Sequence, residues 1–342
     1  MVREALLYEK EEGGSVRCGL CAHRCRIAPG KRGLCAVREN QGGVLVSLVY
    51  GLLAAENADP IEKKPFFHVL PGSRSFSIAT LGCNFRCTFC QNHGISQLSR
   101  EDGRITGRPR EPEEIVAMAL ESGCQSIAYT YTEPTVYFEF ADAVAVIARE
   151  KGLKNLLVTN GYMTAAMLER MAPHLDAANV DLKAFRDDFY NQRCGARREP
   201  VLESLRRMKE IGIWVEVTTL LIPELNDSVE ELQGIAGFIA SLGRETPWHI
   251  SRFHPHYRMT DRPPTPEASL HGAARIGEDA GLKYVYCGNV PGDAGETTFC
   301  AHCGFPLIQR YGFAIEALHM AGAACPHCGT LLDGFFAASG AA

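Results

Sequence analysis

Residues 75–90 read SFSIATLGCNFRCTFC: a short strand-like run, Ser75–Leu81, empties into three cysteines, Cys83, Cys87 and Cys90, spaced C-x3-C-x2-C. A structural metal site of tetrahedral geometry closes with four protein ligands, and here there are three. An iron-sulfur cluster held by three thiolates keeps one iron open to a ligand that reacts there. The alternative that the spacing allows is a zinc site completed by His93, three residues after Cys90.

Working outward, Ser75–Leu81 is the first of a series of strand-like runs rich in Val, Ile, Thr and aromatics. The others are Gln125–Tyr131, Lys154–Thr159, Asp176–Leu182, Trp214–Leu221, Trp248–Phe253 and Lys283–Cys287. Apolar residues at helical spacing lie between them, as in Val136, Phe140, Val144 and Ile147 after Pro134, or Leu232, Ile235, Ala236 and Ile239 after Ser228. Strand and helix in alternation predict an α/β fold with a parallel sheet, doubly wound or rolled into a barrel. In both, functional groups gather beyond the carboxyl ends of the strands. Taken in order, those positions hold the cysteine loop, Thr132-Glu133-Pro134, Asn160-Gly161, Asp181 with Lys183, Ile222-Pro223, His254-Pro255-His256 and Gly288-Asn289. Singly, each has a structural explanation: a turn, a ladder ion pair, a strand cap. Their joint placement on one rim predicts a site.

The 342 residues accommodate one large core with appendages. A composition of 46% hydrophobic and 22% charged residues excludes disorder, and a net charge of −5 disfavours a general nucleic-acid or anionic-membrane binder. No run approaches the 18 or so apolar residues of a membrane span, so the expected location is the cytoplasm. Fourteen cysteines there point to metal and away from disulfides. Two further sets exist. Cys300, Cys303, Cys325 and Cys328 form two CxxC knuckles, each followed by glycine, the arrangement of a structural zinc ribbon. That segment has one basic side chain, Arg310, against four acids, which argues against phosphate binding. Cys18, Cys21, Cys25 and Cys35 form a full quartet near the start, suited to zinc or to an auxiliary iron-sulfur cluster, with zinc the expectation. Around them Arg24, Arg26, Lys31, Arg32 and Arg38 read as a solvated basic patch, or as a dock for an acidic partner. The expected divisions are a cysteine-rich module over 1–70, a barrel over 71–292 and a zinc-ribbon domain over 293–342.

The C-x3-C-x2-C loop with Phe89 before its last cysteine, after the first strand of a βα series, resembles the radical S-adenosylmethionine (SAM) family. The flanks CGLCAHRCRIAPGKRGLC, YTYTEPT, RFHPH and CAHCG with CPHCG resemble, over nearly the whole chain, the radical enzyme of the AmmeMemoRadiSam system. The resemblance implies a partial, six- or seven-stranded TIM-like (β/α) barrel and a 4Fe-4S cluster on Cys83, Cys87 and Cys90. Its free iron would chelate S-adenosylmethionine. It also implies Phe89 against the adenine, Glu133 near the amino group, Asp181 and Lys183 near the carboxylate and sulfonium, and Asn160 and His254 bordering the ribose. The activity implied is reductive cleavage of S-adenosylmethionine to a 5′-deoxyadenosyl radical, with AMMECR1-like and Memo-like proteins as partners and a flavodoxin or ferredoxin as electron donor. The order of elements is also similar to the pyruvate formate-lyase activating enzymes, which makes glycyl-radical activation the alternative. Those enzymes carry Gly-Gly-Glu where this chain has Thr132-Glu133-Pro134, and many have a cysteine-rich insertion absent here. From another class, a zinc-only binding scaffold would use all three cysteine sets structurally.

Overall fold

In a computed structural model, residues 2–101, 103–320 and 322–336 are described. The centre is a nine-stranded sheet: β1 (Leu52–Pro60), β2 (Arg74–Thr80), β3 (Arg108–Pro109), β4 (Ser126–Tyr129), β5 (Lys154–Thr159), β6 (Ala177–Asp181), β7 (Trp214–Leu221), β8 (Trp248–Arg252) and β9 (Val285–Gly288). Its spatial order is β9-β8-β7-β6-β5-β4-β2-β1-β3. The strands from β9 across to β2 run parallel, and β1 and β3 add antiparallel pairs at one side. All seven expected strands are present. Six helices alternate with them: α1 (Pro112–Glu121), α2 (Phe138–Glu150), α3 (Ala165–Met171), α4 (Glu199–Glu210), α5 (Val229–Leu242) and α6 (Glu267–Asp279).

Local chemistry starts these helices where they are needed. Before α1, Glu111 and Glu114 form a reciprocal capping box, with Pro112 in the first turn where its missing N–H costs nothing. Thr164 caps α3 and Ser228 caps α5 through their hydroxyls. The strands are buried on both faces, with Ile78, Ile127, Leu157, Val180, Val217 and Ile250 inaccessible, as expected of a parallel sheet covered by helices. Among the described residues β9 and β3 remain separate edges, so the sheet is open and barrel closure is absent.

The boundary expected at residue 70 does not divide the fold. Strand β1, from the expected cysteine-rich module, pairs with β2 from Leu53 to Pro60, and the core of that module is continuous with the core of the sheet. The basic patch is displayed only in part: Arg24, Arg26 and Lys31 are exposed, and the other two members are not. Arg38 is interior and ion-paired with Glu139 of α2, Arg26 binds Glu11, and Arg32 binds Glu39.

Beyond β9, the strands Thr298–Phe299, Pro306–Tyr311 and Ala314–Leu318 form a small antiparallel sheet. Residues 337–342 of the expected C-terminal domain lie outside the described residues. Arg310, the segment's lone basic residue, is buried: it donates to the Phe67 carbonyl at 3.0 Å and Thr298 Oγ1 at 2.7 Å, and lies 4.0 Å over the Phe67 ring. Docking absorbs its charge.

His68 completes this joint. Its Nδ1 faces the Asp333 carbonyl at 2.7 Å, which can only accept, so Nδ1 carries the proton; Nε2 accepts from the Tyr286 hydroxyl at 2.6 Å. The neutral ring is therefore the form that fits, and burial pulls its pKa down from the usual 6.5 to about 4. Because the folded value lies below the unfolded one, the unfolded chain binds more protons between them, and stability falls as pH drops from 6.5 to 4. The ceiling is about 3 kcal/mol. Urea titrations across that interval should show the loss, and His68→Gln should flatten it; an equal slope in the variant would remove His68 as the cause.

Candidate functional site

A cavity of about 460 Å³ lies at the carboxyl ends of the parallel strands, within the size range of small-molecule sites. Cys83, Cys87, Cys90, Phe89, Glu133, Asn160, Asp181 and Lys183 all line it. The rim read from the sequence is thus assembled into one space by the parallel register of β2 through β8. His254 is not among the lining residues: it is exposed. His93 stacks on Tyr257 at 4.5 Å and is also outside the lining, so it is not placed to complete a zinc site with the three cysteines.

The cysteine loop is held from both sides. Backbone N–H groups of Arg86 and Thr88 donate to the carbonyls of Cys194 and Arg193 at 2.7 and 2.9 Å, pinning it to the turn of Tyr190–Cys194. Phe85 N–H points at Cys83 Sγ (3.4 Å), and the Ser96 hydroxyl lies 3.2 Å from Cys90 Sγ. Cys194 lies beside Cys87, close enough for each thiol to shift the other's ionisation. Read from sequence, Cys194 is an ordinary buried cysteine; its contact with a ligand-type sulfur depends on the π turn, which leaves no mark in residue spacing. Among the described residues, the sulfurs of Cys83, Cys87 and Cys90 do not form a group within 4.8 Å of one another.

Opposite the cysteines, Lys183 Nζ lies 2.8 Å from Asp181 Oδ2 and 5.9 Å from the centre of the Phe89 ring. Burial pulls the Lys183 ammonium down, but Asp181 and the sulfurs of Cys87 and Cys194 more than reverse this and hold it well above the usual lysine range. A permanent cation thus sits beside a half-exposed carboxylate.

Glu133 lines the cavity and is also bound into the protein's own frame. Its Oε1 accepts from Thr135 N–H (3.1 Å) and from the hydroxyls of Thr135 (2.6 Å) and Thr159 (2.7 Å), while Oε2 accepts from Asn160 N–H at 2.8 Å. Burial nevertheless pushes its pKa up, outweighing those four donors. The carboxylate splices the end of β4 to the end of β5. It sets Asn160, whose Nδ2 donates to Asn84 Oδ1 at 2.7 Å and lies 3.9 Å from Cys83 Sγ.

Further lining groups escape sequence reading. Lys64, 2% exposed, is paired with Asp59 at 2.7 Å and lies over the Tyr131 ring; burial lowers its pKa to about 8. At the cavity floor, His249 donates to Glu216 at 2.6 Å, and Glu216 also accepts the N–H groups of Phe67 and His68. A glutamate inside the apolar run of β7 is the one legible signal for that network. Glu296, Gly312 and Phe313 reach the cavity from the C-terminal module.

In that module, Cys300 and Cys328 place their sulfurs 3.6 Å apart and Cys303 and Cys325 3.7 Å apart, all four within 4.8 Å of one another. A tetrahedron with bonds of about 2.3 Å has an edge of about 3.8 Å, so the donor set and its span fit zinc. Matching turns, Gly304 N–H to Cys300 O and Gly329 N–H to Cys325 O, both 2.9 Å, build the two knuckles alike.

Residues 77–236 match the family model described as the Radical SAM superfamily. An uncharacterized protein of Methanocaldococcus jannaschii is 47% identical over 335 residues, covering 97% of this chain and 99% of its own. The pyruvate formate-lyase-activating enzyme of Clostridium pasteurianum is 23% identical over 178 residues, 50% of this chain and 71% of its own. A GTP 3′,8-cyclase of Haemophilus influenzae is 29% identical over 152 residues, 42% of this chain and 44% of its own.

Proposed function

The chain belongs to the Radical SAM superfamily and is an enzyme, and from that premise we propose that it reductively cleaves S-adenosylmethionine in the cavity at the carboxyl ends of β2 to β9. The observation that carries this reading is the convergence of Cys83, Cys87 and Cys90 with Asp181 and Lys183 on that one space. Membership of the superfamily overturns the zinc-only scaffold. The three thiols suit a 4Fe-4S cluster, being spaced C-x3-C-x2-C in one loop with no tight three-sulfur grouping. Cys83, Cys87 and Cys90 would hold it, and it would supply the one electron that reductive cleavage of the C–S bond of S-adenosylmethionine requires.

The protein's share of the work is placement and exclusion. Lys183 and Asp181 offer a cation and a carboxylate to the zwitterionic methionine end, Phe89 offers a ring face, and Asn160 a side-chain amide. The walls of the cavity and the C-terminal turn at Phe313 limit water around a radical that would attack any nearby C–H. The C-terminal quartet holds zinc structurally. No helix among the described residues is long and apolar enough to cross a membrane.

Reduced, anaerobically reconstituted protein should release 5′-deoxyadenosine from S-adenosylmethionine, and none at all would overturn the proposal. AMMECR1-like and Memo-like proteins are the partners to add, with flavodoxin or ferredoxin as electron donor. The similarity to the Clostridium pasteurianum activating enzyme favours a second reading, glycyl-radical activation, whose mark is a glycyl radical spin signal on a partner protein. Asp181→Ala and Lys183→Ala should each weaken S-adenosylmethionine binding by about tenfold or more, the cost of a lost charged hydrogen bond, with iron content unchanged. Unchanged affinity with a lower melting temperature would reduce the two to a structural ion pair.

A further inference from the structure

Cys18, Cys21, Cys25 and Cys35 all line one pocket, walled by Leu20, Ile27 and Val136. The three cysteine sets differ in span. The C-terminal sulfurs close to zinc distances, whereas among the described residues no three of the N-terminal sulfurs come within 4.8 Å of one another, as is also true of Cys83, Cys87 and Cys90. One zinc ion draws four sulfurs onto a tetrahedron with an edge of about 3.8 Å; four irons at the centre hold them farther apart.

The walls supply a second observation. Arg38, 2% exposed, spends Nη2 on Glu139 and leaves Nε and Nη1 without partners. Asn84, 3% exposed, leaves Nδ2 without one. Both residues line this pocket, and buried N–H donors without acceptors are costly unless something anionic meets them. The sulfurs of a cluster ligated by four thiolates are such acceptors.

The pocket also abuts the first cysteine loop. His23 Nε2 lies 2.9 Å from the Asn84 carbonyl, and Asn84 directly follows Cys83. Gly82, at φ +98°, lies so near that a Cβ there would come 2.9 Å from the Cys35 carbonyl and 2.5 Å from Val37, so only glycine allows the two loops to meet.

We propose that Cys18, Cys21, Cys25 and Cys35 ligate a second 4Fe-4S cluster, closed by four thiolates, in place of the zinc that the spacing alone suggests. With every iron ligated by protein, this cluster cannot chelate S-adenosylmethionine.

Anaerobic reconstitution of the full chain with iron and sulfide should give about eight irons and one zinc per chain, the zinc on the C-terminal quartet. The triple variant Cys83→Ala/Cys87→Ala/Cys90→Ala should keep about four irons and a reduced-cluster spin signal that S-adenosylmethionine does not alter. Cys18→Ser/Cys21→Ser should lose about half the iron and keep the signal that S-adenosylmethionine shifts. About four irons in the native protein, or two zincs per chain, overturns the proposal, and that measurement needs no variant to fold. Eight irons without 5′-deoxyadenosine would sink the catalytic reading and leave this one standing.

Discussion

Cys87→Ala should abolish 5′-deoxyadenosine formation and remove about four irons per chain, and Cys83→Ala and Cys90→Ala should do the same. With only three protein ligands available, each carries a third of the attachment, and no neighbour is placed to substitute. Cys194 is the nearest cysteine to Cys87 outside the loop, and its backbone is tied through its carbonyl to Arg86 N–H. Folding should survive, because the loop's position rests on backbone bonds to Cys194 and Arg193 and on buried Phe85 and Phe89. Iron analysis, circular dichroism and product detection on one preparation separate the outcomes: native-rate product from Cys87→Ala would reassign this loop.

Glu133→Ala should lower stability by about 3 to 4 kcal/mol. Four donors converge on its carboxylate, and the hydroxyls of Thr135 and Thr159 can turn elsewhere, but the buried N–H groups of Thr135 and Asn160 cannot; a stranded buried donor costs about 1 to 3 kcal/mol. Asn160 then loses its anchor, and through Asn84 the change reaches Cys83. S-adenosylmethionine affinity should therefore fall with stability in Glu133→Ala and recover partly in Glu133→Gln, which keeps the shape and one acceptor. Thermal melts and equilibrium binding on both variants test this. A Glu133→Ala protein that melts like the native one but binds S-adenosylmethionine weakly would favour direct contact between Glu133 and the cofactor.

The rim was legible in the sequence because parallel strands joined by helices put every strand end on the same side. Once Ser75–Leu81 and its successors are read as strands, Cys83, Glu133, Asn160 and Asp181 must lie near one another. His254 was misplaced for the same reason: position after β8 places a residue on the rim but does not aim its side chain, and here Phe253 turns inward while His254 faces solvent. Lys64, His249 and Phe313 were not legible as lining, since they arrive from a connecting loop, a strand interior and the C-terminal module. Nothing in local pattern ties those segments to the cavity.

By itself, the sequence determined the βα alternation, the three cysteine sets and the incompleteness of the middle one. Those features depend on periodicity and on counting ligands, both local. Tertiary structure alone decided that β1 belongs to the main sheet, that Arg38 is interior, that Glu133 splices two strand ends, and that the N-terminal and C-terminal quartets differ in span. Spacing says which cysteines can share a metal site. How far apart their sulfurs rest is set by what packs around them, through contacts such as Gly82 against Cys35 that join residues remote in the chain.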